Sequence, residues 1–556
     1  MSDLEKPKLL LTKGTLMPWE KRYGYISLNS KTWRGIFPPA DVGFTLFVGN
    51  RQLFQRYVDR VGRVYIGRTV CHQFNDGDLL TCYQDKNGDY HIERIDDSHG
   101  NLKTTSIRAW VRKSVESKKA VTTLSSYTDT KSGIPVDLRD DSYLSIDRPP
   151  PLRIYLLGFQ PAKSIPEIPR WFLHKYASPS PKFKVLEPFS GSGTTLIEAL
   201  QYGVSVYWLD YHPLSRLICR VKTREFSCDK ILLASSKILR NAEKSKPVRQ
   251  EISFANKDFW FQEPVQDALE ILRSEILETD VDLRPALQIA FASTVRKVSN
   301  MNDGMILAAR RAKVEKPIEY SRPDVYGHFR RYVEKTVTAI EEWNPVVKSK
   351  FRNAVELPID DARKLPLQNE FDAIVTSPPY INAMDYVWAS KFELHWLGLV
   401  RDDKERLNLY EREIGTERIP RKQWLTLGCT GHSSLDTLIA DIYYARKYIA
   451  GKGQNQLRAR VVYKYFMDMK EHFSAAFRCL REGGYYCFTV GDGSRICGVD
   501  IPVASILSDI ASEAGFEKMF QFHILLKNRR LNMPRNVEWA GTIKHDTTVV
   551  LRKPEG

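Results

Sequence analysis

Cysteine is scarce in this chain: eight stand among 556 residues, at 71, 82, 219, 228, 429, 479, 487 and 497. None belongs to a CxxC pair and no histidines gather at ligand spacing, which argues against structural zinc, a resident metal or a disulfide framework and favours a reducing cytosol. Long apolar runs are missing too. No stretch approaches the ~20 residues needed to span a bilayer, and Met1-Ser2-Asp3-Leu4-Glu5-Lys6-Pro7 has no signal-peptide pattern, so the expectation is a cytoplasmic protein with no membrane partner. Acid is outnumbered, with 67 Asp and Glu against 83 Lys and Arg, and the formal charge of +16 favours a polyanionic partner. The length implies more than one domain.

Two short motifs carry the chemistry. Phe371-Asp372-Ala373-Ile374-Val375 reads as a buried strand, and it ends at Thr376-Ser377-Pro378-Pro379-Tyr380. The prolines fix backbone φ and push the preceding residue toward extended geometry, so Ser377, Pro378, Pro379 and Tyr380 form a rigid turn at the strand's carboxyl end. A hydroxyl, a backbone carbonyl and a flat aromatic face suit a planar ring bearing an exocyclic amine. The second motif, Lys184 to Leu200, runs strand, glycine turn, helix through Glu187-Pro188-Phe189-Ser190-Gly191-Ser192-Gly193-Thr194-Thr195. Gly191 and Gly193 permit positive φ, and the helix beginning beyond them offers free N–H groups to a nucleotide-like ligand. About twenty residues on, Val204 to Leu209 reads as a strand closed by Asp210, the spacing of a carboxylate that bonds ribose hydroxyls.

Together these segments resemble the S-adenosylmethionine-dependent amino-methyltransferases, in particular the DNA enzymes that methylate cytosine N4 or adenine N6. Their cofactor loop, (D/E)PFxGSGTT, is matched by Glu187 to Thr195, and their catalytic loop, (D/N/S)PP(Y/F), by Ser377 to Tyr380. The resemblance implies that Glu187, Phe189, Gly191, Gly193, Thr194, Thr195 and Asp210 bind S-adenosylmethionine, with Asp361 bonding its adenine amine. Gly158 to Pro169 is similar to the family's HxYPAxxPxx element, which places Phe159 and Pro161 beside the methionine part of the cofactor. Gly158 and Gln160 stand where that pattern has His and Tyr. Motif order, cofactor loop before catalytic loop, argues against the reverse-order class. The resemblance spans about residues 155 to 553.

The implied fold is α/β: a Rossmann-like methyltransferase sheet with closing antiparallel strands, plus a small amino-terminal β-barrel-like domain. Residues 1–97 show evenly spaced alternating runs broken by Gly, Pro and Asp, as a small barrel or sandwich would. They read as an accessory domain, either DNA-binding or merely bearing solvated charge. Residues 98–150 read as a polar connector, and 151–556 as the catalytic domain with helical insertions at about 220–350 and 400–460. Candidate nucleic-acid contacts are Arg296, Lys297, Arg310, Arg311, Arg529 and Arg530, with Asn300 and Asn302 facing the cleft; a solvated helix face is the alternative.

A ring amine is a poor nucleophile because its lone pair is delocalised. Hydrogen bonds to Ser377 Oγ and the Pro378 carbonyl favour a pyramidal nitrogen, Tyr380 stacks on the unstacked base, and positioning supplies the rest. The absence of a Pro-Cys nucleophile argues against carbon-5 methylation. Since SPPY is more frequent in cytosine-N4 enzymes, the resemblance favours cytosine N4. Adenine N6, an RNA base and an inactive nucleic-acid-binding scaffold follow in that order. DNA is the expected partner, with a cognate restriction endonuclease or defence system beside it, in a bacterial or archaeal nucleoid.

Overall fold

The structure, a computed structural model, describes residues 11–13, 25–27, 44–48, 51–56, 63–66, 70, 74, 80–84, 89–94, 121–124, 134–146, 151–246, 252–302, 305–308, 318–348, 353–381, 384–451, 453–526, 543 and 545–556. It divides into two compact units, Met1–Lys118 and Lys119–Gly556. In the first, β1 (Leu11–Lys13), β3 (Phe44–Val48), β4 (Arg51–Arg56), β6 (Leu80–Gln84) and β7 (Tyr90–Arg94) form a sheet of order β1-β6-β7-β3-β4, while β2 (Tyr25–Ser27) pairs with β5 (Arg63–Tyr65). Along β3, Phe44, Leu46 and Val48 are buried and the residues between them half-buried, the period of two that a one-sided sheet imposes.

In the second unit a mixed sheet is built from β8 (Val121–Leu124), β9 (Ser142–Ile146), β10 (Lys184–Glu187), β11 (Ser205–Trp208), β12 (Ala354–Glu356), β13 (Phe371–Thr376), β14 (Leu480–Asp492), β17 (Glu517–Leu525) and β18 (His545–Arg552). Its order is β12-β11-β10-β13-β14-β18-β17-β9-β8; β15 (Ser494–Ile496) and β16 (Val499–Ile501) make a separate hairpin. Pairing is parallel from β12 to β14 and antiparallel through β18 and β17, so the closing antiparallel strands are present. Side chains alternate between two cores, as a sheet covered on both faces requires. Val185, Ala373, Val375, Cys487 and Val550 enter one cluster; Leu186, Ile374, Tyr486, Phe488 and Val549 enter the other.

The helices that matter for the site are α1 (Glu167–Tyr176), α2 (Thr194–Tyr202), α3 (Pro213–Lys222), α4 (Arg284–Val298), α5 (Arg322–Val347), α6 (Tyr386–Ala389), α7 (Lys391–Trp396), α8 (Ser433–Tyr443) and α9 (Gln454–Cys479). The first insertion holds α4 and α5, which pack on each other; α8 belongs to the second. No helix among the described residues is long and apolar enough to cross a membrane.

The segment 98–150, read as a connector, adds β8 and β9 to the sheet, parallel to each other and to β17. Its aspartates, which look like linker polarity in sequence, are what fasten it. Gln521 N donates to Asp140 Oδ1 at 2.7 Å, Asp141 N donates to Gln521 O at 2.8 Å, and His523 Nε2 lies 2.8 Å from Asp141 Oδ1.

Candidate active site

Strand order reverses between β10 and β13, and ligands of open α/β sheets bind outside the carboxyl ends of the strands at such a point. Glu187 ends β10 and Thr376 ends β13, and the Thr376 hydroxyl hydrogen-bonds the Glu187 carboxylate. The glycine loop and the proline turn are thereby tied together one residue before each begins to diverge. Glu187 is fully enclosed; it also accepts Phe189 N at 3.0 Å and a bond from the Thr195 side chain.

Within the loop, Gly191 has φ +49° and Gly193, the residue capping α2, has φ +76°. These left-handed conformations favour glycine. A Cβ at Gly193 would lie 3.3 Å from Cys219 Sγ, whereas one at Gly191 would meet only Phe189 O at 3.8 Å, so the loop is backed by α3 on one side and open at Gly191. Thr194 and Thr195 are buried in the first turn of α2. Gly193→Ala is expected to lower stability by about 1–2 kcal/mol through the left-handed penalty alone, read as a fall in the midpoint of denaturant unfolding.

Asp210 follows β11 and braces this loop: Oδ2 accepts Gly191 N at 2.7 Å and Oδ1 accepts His212 N at 2.8 Å. A carboxylate oxygen has two lone pairs, so each can still accept a ribose hydroxyl. Three further braces were not legible in the motifs. Lys222, 1% exposed, donates to Ser192 O at 2.8 Å, and burial next to Lys163 pulls its ammonium down to about 7. Cys219 Sγ lies 3.5 Å from Ser190 Oγ. Gln160, in the tyrosine place of the family pattern, donates to Gly191 O at 3.4 Å and bonds Ser215. Gly158 replaces histidine for a steric reason: φ is +78° and a Cβ would come within 2.6 Å of Ile218 on α3. Pro161 is half-buried in the same element.

Asp361 is gripped by Arg363, whose Nε and Nη2 donate at 2.9 and 3.0 Å while Nη1 reaches Asp468 on α9 at 2.9 Å. Burial opposes ionisation, but the guanidinium prevails and holds this carboxyl below its ordinary value. Close by, His472 bonds Ala362 O at 2.8 Å and stands edge-on to Phe189, with ring centroids 4.8 Å apart.

At the proline turn, Ser377 Oγ donates to Thr489 O of β14 at 3.2 Å. Pro378 is buried, and Ser377, Pro379 and Tyr380 are half-buried. The Tyr380 ring lies against the backbone of Gly491: a Cβ there would sit 2.7 Å from its Cδ2. A buried acid cluster pins the second insertion beside this turn. Glu413 accepts the Tyr211 hydroxyl at 2.8 Å, and burial followed by the nearby Asp385 pushes its carboxyl up to about 8. Asp385 caps α6, accepts Tyr410 OH at 2.7 Å and pairs with Arg418 at 3.2 Å.

Of the expected nucleic-acid contacts, Arg296 must be corrected. Its guanidinium lies 3.4 Å over the Phe159 ring and donates to Ala389 O, Glu393 Oε1, Met305 O and Ile306 O at 2.7–3.3 Å, so it clamps α4 onto α6 and α7. Both terminal nitrogens of this half-buried fork are thus engaged within the fold rather than turned to a phosphate. Lys297 is half-buried on α4. Asn300 bonds the Phe259 carbonyl at 3.1 Å. Arg310, Arg311, Arg529 and Arg530 lie outside the described residues. Among the described residues no group of His, Cys, Asp and Glu could hold a metal ion.

Burial pushes Glu187 up to about 7 and Asp210 to about 6. A carboxyl whose folded value exceeds its unfolded one keeps a proton that the unfolded chain has already released, so stability falls as pH rises between the two values. Both groups contribute up to about pH 6, and Glu187 alone from there to about 7. Glu187→Gln is therefore expected to flatten the fall in Tm between pH 6 and 7; an unchanged slope would assign the titration elsewhere.

A doubly wound sheet with a glycine loop and a rigid acceptor turn on neighbouring strand ends defines the class of site. Known proteins place it further. No protein-family model matches the chain. The chain is 24% identical over 404 residues to the type II methyltransferase M.MvaI of Kocuria varians, covering 68% of this chain and 85% of that one. It is 23% identical over 416 residues to M.AvaI of a Nostoc strain, covering 65% and 81%, and 24% identical over 401 residues to M.BsoBI of Geobacillus stearothermophilus, covering 65% and 77%. A solved methyltransferase of Methanosarcina mazei aligns at 8% identity with a TM-score of 0.25, over 69% of this chain and 98% of that one. The resemblance to the amino-methyltransferases thus extends over most of the chain.

Proposed function

We propose that this chain transfers the methyl group of S-adenosylmethionine to the exocyclic amine of cytosine, at N4, in DNA. One observation carries the reading: the Ser377 hydroxyl gives its proton to Thr489 O, so what remains to it is acceptor capacity, and Pro378 has a carbonyl but no N–H. A turn of acceptors selects an amine, and that turn is bonded through Thr376 to the glycine loop. The type II methyltransferase relatives support a DNA substrate. The SPPY form, more frequent in cytosine-N4 enzymes, favours cytosine over adenine N6.

The residues fit S-adenosylmethionine. The open side at Gly191 and the free N–H groups of α2 suit its ribose and carboxylate ends, with Asp210 for the ribose hydroxyls. Asp361 Oδ2, bonded once by Arg363, has a lone pair for the adenine amine, and Phe159, Pro161 and Phe189 supply apolar contact. S-adenosylmethionine supplies the electrophilic methyl group. Ser377 Oγ and the Pro378 carbonyl accept the amine hydrogens and aim the nitrogen lone pair. Pro379 keeps the turn rigid, and Tyr380 offers a face to a base that has left the stack. Lys297, Arg310, Arg311, Arg529 and Arg530 approach phosphates, and the amino-terminal β unit, closed as a small barrel, acts as an accessory DNA-binding domain. A cognate restriction endonuclease is the partner activity.

The test is direct. Calorimetry with S-adenosylmethionine is expected to show binding, and plasmid treated with enzyme and cofactor, digested to nucleosides, is expected to yield N4-methylcytosine by mass spectrometry. N6-methyladenine instead would reassign the base. Cofactor binding with no modified nucleoside from any DNA would overturn the function.

A further inference from the structure

Behind Asp361 a polar pair is set into an apolar core. His472 on α9 is wholly buried against Phe473, and Tyr486 on β14 is wholly buried among Phe473, Phe488 and Phe516. Two polar rings in such surroundings cost free energy unless their hydrogen bonds are completed, and both are. His472 Nδ1 lies 2.8 Å from Ala362 O, and Nε2 lies 2.7 Å from the Tyr486 hydroxyl. A carbonyl oxygen only accepts, so Nδ1 carries the proton, and the bare Nε2 accepts the Tyr486 O–H. The bonds thus run in one direction, from Tyr486 through the imidazole to the Ala362 carbonyl. Burial pulls the imidazole down to about 4, so it stays neutral at neutral pH.

Asp468 and His472 stand four residues apart on α9 and so share one face of the helix. Asp468 Oδ1 accepts Arg363 Nη1 at 2.9 Å, Arg363 in turn holds both oxygens of Asp361, and His472 holds the Ala362 carbonyl. Two successive turns of α9 therefore fasten the three successive residues 361 to 363. Arg363 fixes the direction of the carboxylate, while His472 fixes the backbone that carries it. The same imidazole also meets the glycine loop. Phe189 lies edge-on to it, with centroids 4.8 Å and planes 64° apart. Phe189 is half-buried, so part of its ring surface is open. One imidazole thus sets the spacing between an aromatic surface and a carboxylate, the two elements that suit a purine bearing an exocyclic amine.

We propose that His472 is a positioning residue for adenine selection: through Ala362 O and the edge of Phe189 it sets the gap that receives the adenine of S-adenosylmethionine, and Tyr486 fixes its tautomer. It acts through Asp361 and Phe189 and not by contact with the cofactor. The proposal rests on the reading of Asp361 as the acceptor of the adenine amine. A carboxylate held at that position favours adenine over hypoxanthine, whose carbonyl would set a second acceptor against it, and a site built around a donor on its ligand rejects the analogue that lacks the donor.

The test is calorimetry of the full chain with S-adenosylhomocysteine and with S-inosylhomocysteine, which carry an amine and a carbonyl at the same purine carbon. The wild type is expected to bind the adenosyl form on the order of a hundredfold more tightly. His472→Leu, similar in size but without either hydrogen bond, is expected to weaken the adenosyl form about tenfold and the inosyl form less than about twofold, so the ratio collapses. His472→Gln, whose amide can donate to Ala362 O and accept the Tyr486 hydroxyl, is expected to restore most of the ratio. Tyr486→Phe leaves the imidazole and its bond to Ala362 in place but releases the tautomer, and is expected to lower the ratio about threefold. Thermal melts establish which variants are folded, and Tyr486→Phe decides the matter if His472→Leu is not. A wild-type ratio in the folded variants, or equal losses for both ligands, overturns this proposal alone. Equal affinity of the wild type for the two ligands overturns it together with the role given to Asp361, and binding of neither overturns the cofactor site itself.

Discussion

Ser377→Ala is expected to lower the single-turnover rate of methyl transfer by roughly 10²–10³-fold, the scale seen when one positioned hydrogen-bonding group leaves an active site, with S-adenosylmethionine affinity unchanged. The reason lies in how Ser377 is held. Its hydroxyl proton goes to Thr489 O, which turns its lone pairs outward as acceptors and fixes χ1 without help from the substrate. Alanine would remove one of the two acceptors proposed for the amine hydrogens and leave the Pro378 carbonyl alone. Because Ser377 touches neither the glycine loop nor Asp210, the cofactor should bind as before, and calorimetry checks that. Ser377→Asp sharpens the test. It restores an acceptor but sets a carboxylate against the Thr489 carbonyl, so it should recover only part of the lost rate; equal rates for Ser377→Asp and wild type would show that the bond to Thr489 is irrelevant. Full activity in Ser377→Ala would remove the residue from the chemistry altogether.

The parts of the site that sequence makes legible are local ones. A proline turn after an apolar run and a glycine turn before a helix declare their geometry within ten residues, because φ restriction and hydrogen-bond capping act over that range. The alternation of Val185 with Leu186, or Ile374 with Val375, likewise announces strands and their two covered faces. What could not be read is whatever depends on partners far along the chain. Arg296 looked like a surface cation because periodicity places it on a helix, yet Glu393 and the Ala389 carbonyl, nearly a hundred residues later, enclose it. Asp361 and Asp468 share Arg363 across a similar gap, and Asp140 and Asp141 bind β17 from 380 residues away. In each case the fold supplies a counter-group too far along the chain for any local pattern to show. Lys222 and Glu413 belong to the same kind. A buried lysine under the glycine loop and a buried acid beside the proline turn leave no trace in a pattern that counts them as polar.

Gly491→Ala is expected to cost nearly as much activity as Tyr380→Ala, roughly 10²-fold or more, though it adds a single methyl group away from the amine acceptors. The added Cβ would lie 2.7 Å from Tyr380 Cδ2 and 2.8 Å from Cε2, closer than such atoms approach, and 2.7 Å from Ile543 Cδ1. Ile543 can yield at the tip of its side chain, but Tyr380 is met along the edge of a rigid ring and must swing as a whole. Gly491 itself is not free to retreat, because it pairs with Asp546 in the register that runs from Tyr485 to Asp492 along β18. The stacking face is therefore displaced while the sheet holds, so Tm should fall little and cofactor affinity not at all. The double variant separates this from a general loosening of the strand. If Gly491 acts only through the Tyr380 ring, Gly491→Ala in a Tyr380→Ala background removes no further activity, since contacting residues that act as one unit are non-additive. Losses that simply multiply would place the effect of Gly491 in β14 instead, independent of the Tyr380 ring.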